Sequence, residues 1–279
     1  MALGLAERSL ILALLGAACA APPQLQVTST TTRSEITYAG APLLSEVHDW
    51  DPARAFGTFK VYWHVHGLHG EGPITKGEET GQYPHHRGLF VGWNRLQAGG
   101  RTWDFWHGKD GVHFLWRGTR ADGDAAVSQV DWVAGDGQTV VRDERRVRVL
   151  ESTPGRRTFE ITLTLRCAAG PVQLLGDPHH AGFHFRAAEE VATRARETRI
   201  EVPAAARERK AGDRSILEGV AEAAERFTIQ GRPYRIGMRS EVPCCWSLRE
   251  YGRFGAFSEH RLEPGKDLVL RFWLTVERG

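Results

Sequence analysis

Residues 158–167, "TFEITLTLRC", alternate without a break: Phe159, Ile161, Leu163 and Leu165 are apolar, and Glu160, Thr162, Thr164 and Arg166 are polar. Side chains on a strand repeat their facing every two residues, whereas a helix would spread these apolar groups around its circumference. The segment therefore suits a strand with one face in a core. "DLVLRFWLTV" (267–276) repeats the pattern with Leu268, Leu270, Phe272, Leu274 and Val276. "TVVRDERRVRVL" (139–150) reads as a long charged strand, exposed on one face. Shorter strands are expected at "GTFKVYWHV", "GLFVGWN", "GVHFLWR", "AVSQVDWV", "GFHFRA", "RFTIQG", "YRIGM" and "CWSLRE". Pro154-Gly155, Gly170-Pro171 and Pro264-Gly265 supply turns between such segments.

Residues 187–226 break the pattern. "AAEEVATRARE" and "ILEGVAEAAERF" are rich in Ala, Glu and Arg and predict short helices or a charged insertion. The remainder predicts an all-β fold, a single antiparallel domain over 21–279 with two large packed sheets. Residues 1–20 read as a signal peptide: Arg8 precedes the apolar run "LILALLGAACA", which ends in Ala18-Cys19-Ala20. Export to the periplasm or the extracellular space is expected, with lipoprotein anchoring through Cys19 a lesser alternative. No long apolar run follows, so no transmembrane segment is expected after signal removal. The net charge of +2 gives no electrostatic case for nucleic acid or an anionic membrane as partner. Oligomeric state is left open. Cys167, Cys244 and Cys245 make an odd set, read as small buried residues, with pairing of Cys167 to one of the others left open.

Histidine placement carries the functional signal. Of 12 histidines, His64, His66, His69, His85, His86, His107 and His113 fall in one window, and His179, His180 and His184 in another. Trp63, Trp93, Trp103, Trp106 and Trp116 are interleaved with the first group. Aromatic walls with a few polar groups suit a small-molecule cleft. In "GQYPHHRGLFVGWN" (81–94), His85, His86 and Arg87 precede the apolar strand Leu89-Phe90-Val91, which sets them at a strand mouth.

The stretch from Tyr62 to Gly108 resembles the PmoA-like domain family, bacterial proteins that carry the label "methane oxygenase PmoA". The resemblance rests on Tyr62-Trp63-His64, Thr75-Lys76, Pro84-His85-His86-Arg87 and Asp104-Phe105-Trp106, with a later block at Trp246, Arg249, Tyr251 and Gly252. "RSEVPCC" and "DPHH" depart from the family pattern. The resemblance implies a large β-sandwich (supersandwich) like those of galactose mutarotase and related carbohydrate-active enzymes. It does not imply an oxygenase here: a membrane subunit would need spanning helices, and a histidine brace would need a mature N-terminal His where Ala21 or Pro22 stands.

A saccharide is the expected substrate and acid–base catalysis the expected chemistry, of a mutarotase, lyase or hydrolase type. His85 or His86 is the expected acid, Asp104 the base or orienting carboxylate, and Arg87 a bidentate clamp. His64, Lys76, Trp103, Trp106, His184, Trp246 and Arg249 are expected to bind substrate. No cofactor is required. A divalent metal on His64, His66, His85 and His86, aided by Asp104, is one alternative. A non-catalytic sugar-binding module is another. Two-carboxylate hydrolysis fits less well, since no second acid stands out near the tryptophans.

Overall fold

The computed structural model describes residues 24–77 and 81–279; the segment read as a signal peptide lies outside the described residues. A 16-stranded antiparallel sheet makes up most of the fold. One half runs from Leu25–Ser29 through Arg33–Tyr38, Ala41–Val47, Tyr62–Val65, Leu89–Trp93 and Ala181–Arg186 to Arg253–Phe257. The other runs from Leu268–Arg278 through Arg156–Cys167, Thr139–Thr153 and Ala125–Val133 to His113–Asp122.

The 18-residue strand Arg232–Arg249 joins the halves. Its first part pairs with Leu268–Arg278 from Tyr234 to Ser240, and its last part pairs with Arg253–Phe257 from Cys245 to Arg249. The sheet folds over at this strand, so that inward side chains of the two halves meet as in a sandwich. Trp93 and Trp132 lie 5.9 Å apart and Phe183 and Phe272 lie 4.7 Å apart across the core. A separate four-stranded sheet, His260–Leu262, Val172–Leu175, Arg95–Ala98 and Arg101–Trp103, lies beside them.

The alternation at 158–167 turns into burial as expected. Phe159, Ile161, Leu163 and Leu165 are all fully buried. Each such side chain contributes roughly 1.5–3 kcal/mol of transfer free energy. The charged strand differs from its reading. Asp143 and Arg145 continue the inward row of Val141 and Val147 and are fully buried. Arg145 Nε donates to Asp143 Oδ2 at 2.8 Å, its NH1 donates to Val61 O at 2.9 Å, and Trp132 Nε1 donates to Asp143 Oδ2 at 3.1 Å. The pair is tolerated inside because each charge is met by the other and by further hydrogen bonds.

The helix expected in "ILEGVAEAAERF" is instead part of the 17-residue strand Asp213–Ile229. Gln230 and Gly231, with φ of +49° and +73°, close a two-residue hairpin to Arg232, the turn that suits strand twist. Cross-strand pairing buries Leu217, Val220, Ala223 and Phe227, and this overrides the helix preference of the Ala-Glu run. The neighbouring run does hold a short helix, Glu189–Thr193. Cys167, Cys244 and Cys245 are free thiols. Among the described residues, no helix is long and apolar enough to cross a membrane.

Candidate functional site

Two turns of the same chemical design meet near the end of strand Leu89–Trp93. In Asp104-Phe-Trp-His107, Asp104 Oδ1 accepts the backbone N–H groups of Trp106 and His107 at 3.1 and 2.9 Å. In Asp177-Pro-His-His180, Asp177 Oδ1 accepts the N–H of His179 at 3.0 Å. An aspartate at the head of a turn commonly captures the amides that follow it. The histidine three residues on then returns to the same carboxylate: His107 Nδ1 lies 2.8 Å from Asp104 Oδ2, and His180 Nδ1 lies 2.9 Å from Asp177 Oδ1. An ionised carboxylate only accepts, so each ring carries its proton on Nδ1 and presents Nε2 away from the aspartate.

The residues after Trp93 hold both turns in place. Phe105 N–H donates to Trp93 O and Asn94 N–H donates to His180 O, each at 3.0 Å, while Asn94 Nδ2 donates to Asp177 Oδ2 at 2.9 Å. The two imidazole rings end 5.1 Å apart. Burial by itself would raise both carboxyls, but their hydrogen bonds outweigh it, chiefly those from His107 at Asp104 and from His180 at Asp177, and hold both below the ordinary carboxylate range.

His85 joins them, its ring 4.8 Å from that of His107. Beneath it the buried Lys60 donates from Nζ to His85 O at 2.5 Å and lies 3.7 Å over the Phe90 ring. Burial, then the charge of Lys60 and the nearby His107 and His180, push His85 down to about 3. At neutral pH it is an uncharged ring rather than a stored proton. His86 is buried, with Tyr83 at 5.1 Å, Trp106 at 6.1 Å and Tyr251 at 6.2 Å between ring centres. Burial and then the Arg253 charge drive it well below its ordinary value. Arg87 donates to the carbonyls of Pro84 and His86. Among the described residues, His85 Nε2, His86 Nδ1 and Trp106 Nε1 are buried atoms with no hydrogen-bond partner. Buried polar atoms of this kind need a partner, and an ordered water between them would supply one.

A second layer lies behind. His184 Nε2 donates to Ala181 O at 2.9 Å and its Nδ1 accepts from Arg253 NH1 at 3.1 Å, which fixes a neutral tautomer. Its ring packs where Gly255 has no Cβ, since one built there would lie 2.2 Å from the imidazole. Trp106 meets the same ring edge-on at 4.6 Å. His179 Nε2 accepts from Arg249 NH2 at 2.9 Å, so its proton sits on Nδ1 and goes to Ser247 Oγ at 2.6 Å.

His85, His86, Arg87, Asp104, Trp106 and His184 are thus gathered, and Arg249 stands at the edge beside His179. Other expected site residues lie apart. Trp103 is buried under Arg101, whose guanidinium is 4.1 Å from its ring, beside a groove of about 690 Å3 that Gln97, Gln173 and Arg261 also line. Trp246 is fully buried, with Nε1 donating to Val220 O at 3.0 Å. Trp106 is fully buried as well, and none of the three tryptophans has an open face on which a sugar could stack. Lys76 Nζ pairs with Glu189 Oε2 at 2.6 Å. His64 Nδ1 lies 3.1 Å from Thr75 Oγ1, and His66 Nε2 lies 2.7 Å from Ser45 Oγ. The four candidate metal ligands therefore do not converge, and among the described residues no three His, Cys, Asp or Glu side chains are grouped to hold a metal ion. Sequence reasoning counted His107 and His180 among the clustered histidines but gave no role to them, nor to Asp177 or Arg253. The recurrence of Asp-x-x-His at 104–107 and 177–180 was the signal available for the first three. Asp177 is a second carboxylate near Trp106, tied to His180.

The model of the "Family of unknown function (DUF6807)" matches residues 33–279. That match corrects the resemblance to the PmoA-like family: it covers the same His-His-Arg and Asp-Phe-Trp segments under a different family, one without an assigned activity. No curated protein matches the sequence. Among solved structures the chain is similar to a polysaccharide lyase, with 13% identity and a TM-score of 0.37 over 93% of this chain and 33% of that one. It is similar to the protein HI1317 at 9% identity and a TM-score of 0.37, over 92% and 100% of the two chains. A protein described as "Putative kojibiose phosphorylase from human microbiome" is similar at 9% identity and a TM-score of 0.32, over 91% and 33%. The chain spans about a third of the length of the lyase and of the phosphorylase.

Proposed function

The chain belongs to the DUF6807 family of unknown function, and from that premise we propose, on the chemistry of its own site, that it is an exported enzyme moving protons on a saccharide. The observation that carries the reading is the pair of aspartate-held imidazoles, His107 and His180, with rings 5.1 Å apart. One neutral Nε2 accepts a proton from a sugar hydroxyl or ring carbon while the other, protonated, delivers one to a sugar oxygen. Each aspartate fixes its ring's tautomer and steadies the imidazolium that forms. Positioned acid–base groups of this kind contribute roughly 10²–10⁴-fold each.

A saccharide suits the surroundings. Tyr83 is 42% exposed and stands 5.0 Å from Tyr251, an aromatic surface beside a row of hydrogen-bonding nitrogens. His85 serves as a neutral hydrogen-bonding partner and Asp104 as an orienting carboxylate. Mutarotation, β-elimination and hydrolysis all need a proton donor and a proton acceptor, and a product analysis separates them. The test is turnover of a monosaccharide and glycan panel by the mature protein, followed by anomeric NMR and reducing-end assays. Turnover that vanishes in His107→Ala/His180→Ala supports the reading. Turnover that survives in the folded double variant overturns it. Export is tested by N-terminal sequencing of the protein recovered outside the cytoplasm, with cleavage after Ala20 expected.

A further inference from the structure

Behind the paired histidines lies an unusual charge arrangement. Arg253 is buried, and its hydrogen bonds go to neutral acceptors: Tyr251 Oη at 3.0 Å, His179 O at 3.1 Å, His184 Nδ1 at 3.1 Å and Ser247 Oγ at 2.9 Å. Arg249 has one side-chain bond, from NH2 to His179 Nε2 at 2.9 Å. His179 thus sits between two guanidinium groups, with Arg253 NH2 also 3.4 Å from its Nδ1. Burial first, then the charges of Arg249 and Arg253, push His179 down to about 4, so it adds no charge of its own at neutral pH.

Among the described residues, no carboxylate pairs with either guanidinium. Asp213 acts on Arg249 through its charge without contact, and the other acids nearby are engaged elsewhere or uncharged. Asp104 and Asp177 hold His107 and His180. Asp213 accepts from Ser215 N–H at 3.0 Å and Ser215 Oγ at 2.5 Å. Glu225 is buried and its carboxyl is raised to about 8, which leaves it protonated at neutral pH. A buried guanidinium without a counter-charge is strongly destabilising. The edge at Arg249 and His179, next in sequence to His180, is where an anion would relieve it.

We propose that the saccharide acted on at this site carries a carboxylate, as a uronic acid residue does, and that Arg249 holds that carboxylate beside His179. The inference rests on the saccharide reading above and names its substrate class. A guanidinium matches a carboxylate through two parallel N–H donors, a geometry that a neutral hydroxymethyl group cannot reproduce. Arg253 acts from behind as a fixed positive charge that does not touch the ligand. The rings of His179 and His180 are 6.2 Å apart, so a carboxylate held beside His179 lies one residue from the paired imidazoles.

The test measures binding and turnover of glucuronate and galacturonate oligomers against the matching glucose and galactose oligomers. The uronates are expected to bind about ten-fold or more tightly at low salt, with the gap narrowing in 0.5 M salt as screening rises. In Arg249→Gln the preference disappears, and in Arg249→Lys, which keeps the charge without the fork, an intermediate preference remains. Circular dichroism on both variants confirms that the fold is retained. Equal affinity for charged and neutral oligomers overturns the inference and leaves the acid–base reading standing. Neither binding nor turnover with any saccharide overturns both.

Discussion

His107 and His180 stand with their rings 5.1 Å apart, each tied through Nδ1 to the aspartate three residues before it. The two turns come from distant parts of the chain yet share the bond from aspartate to imidazole. The pairing fixes which nitrogen of each ring is free, and with it the direction in which a proton can move.

Replacing His107 or His180 with alanine should lower kcat by about 10²–10⁴-fold. Asp104→Asn and Asp177→Asn should lower it less, because the ring remains but its tautomer is no longer held. Single-turnover rates on the substrate found by panel screening check the order.

Acid should weaken the fold through the same aspartates. Their carboxyls are held below the ordinary range in the folded protein, so their contribution is present above the unfolded value of about 3.9 and is lost as pH falls through the folded one. Thermal unfolding of the protein and of Asp104→Asn/Asp177→Asn from pH 5 down to pH 2 should show a steeper loss in the parent.

Glu225 acts in the opposite sense. Burial raises its carboxyl from 4.5 to about 8, so its contribution is present below the unfolded value and is lost as pH rises toward the folded one. Glu225→Gln should therefore gain stability relative to the parent between about pH 4.5 and pH 8, by at most about 1.4 kcal/mol per pH unit. Denaturant unfolding at pH 5 and pH 8 measures the difference, and an unchanged difference would count against a buried neutral carboxyl.

Breaking the core ion pair should be costly. Arg145→Met leaves Asp143 buried without its cation and should destabilise by about 3–5 kcal/mol. Adding Asp143→Leu should recover much of that loss, since the remaining charge is gone. Urea midpoints of the single and double variants give the comparison.

Gly255→Ala should disturb the site without touching a polar group. Its new methyl would meet the His184 ring at 2.2 Å, pushing away the acceptor of Arg253 NH1. A stability loss of about 1–3 kcal/mol is expected from such overpacking, together with reduced binding at the neighbouring His179.

The strand framework was legible where alternation was clean. Phe159, Ile161, Leu163 and Leu165 read as one buried face and are one. It was misread where side-chain type and burial disagree. Asp143 and Arg145 look like surface charges until Val61 O and Trp132 appear beside them. The run around Ala223 and Ala224 looks helical until the strand across the hairpin claims it. In the site, the reading found His85, Arg87 and Asp104 but passed over His107 and His180, whose importance lies in a meeting that neither turn encodes alone.

By itself the sequence determined the strands whose apolar residues alternate cleanly, such as 158–167 and 267–276, because strand facing is a local steric property repeated every two residues. It also determined the two Asp-x-x-His turns, since their hydrogen bonds close within four residues. Only the tertiary structure decided that these turns face each other, that Trp103 and Trp246 are walled in, and that two guanidiniums flank His179. Those outcomes depend on how one continuous sheet folds over at Arg232–Arg249, a long-range packing event for which no short stretch of chain holds the information.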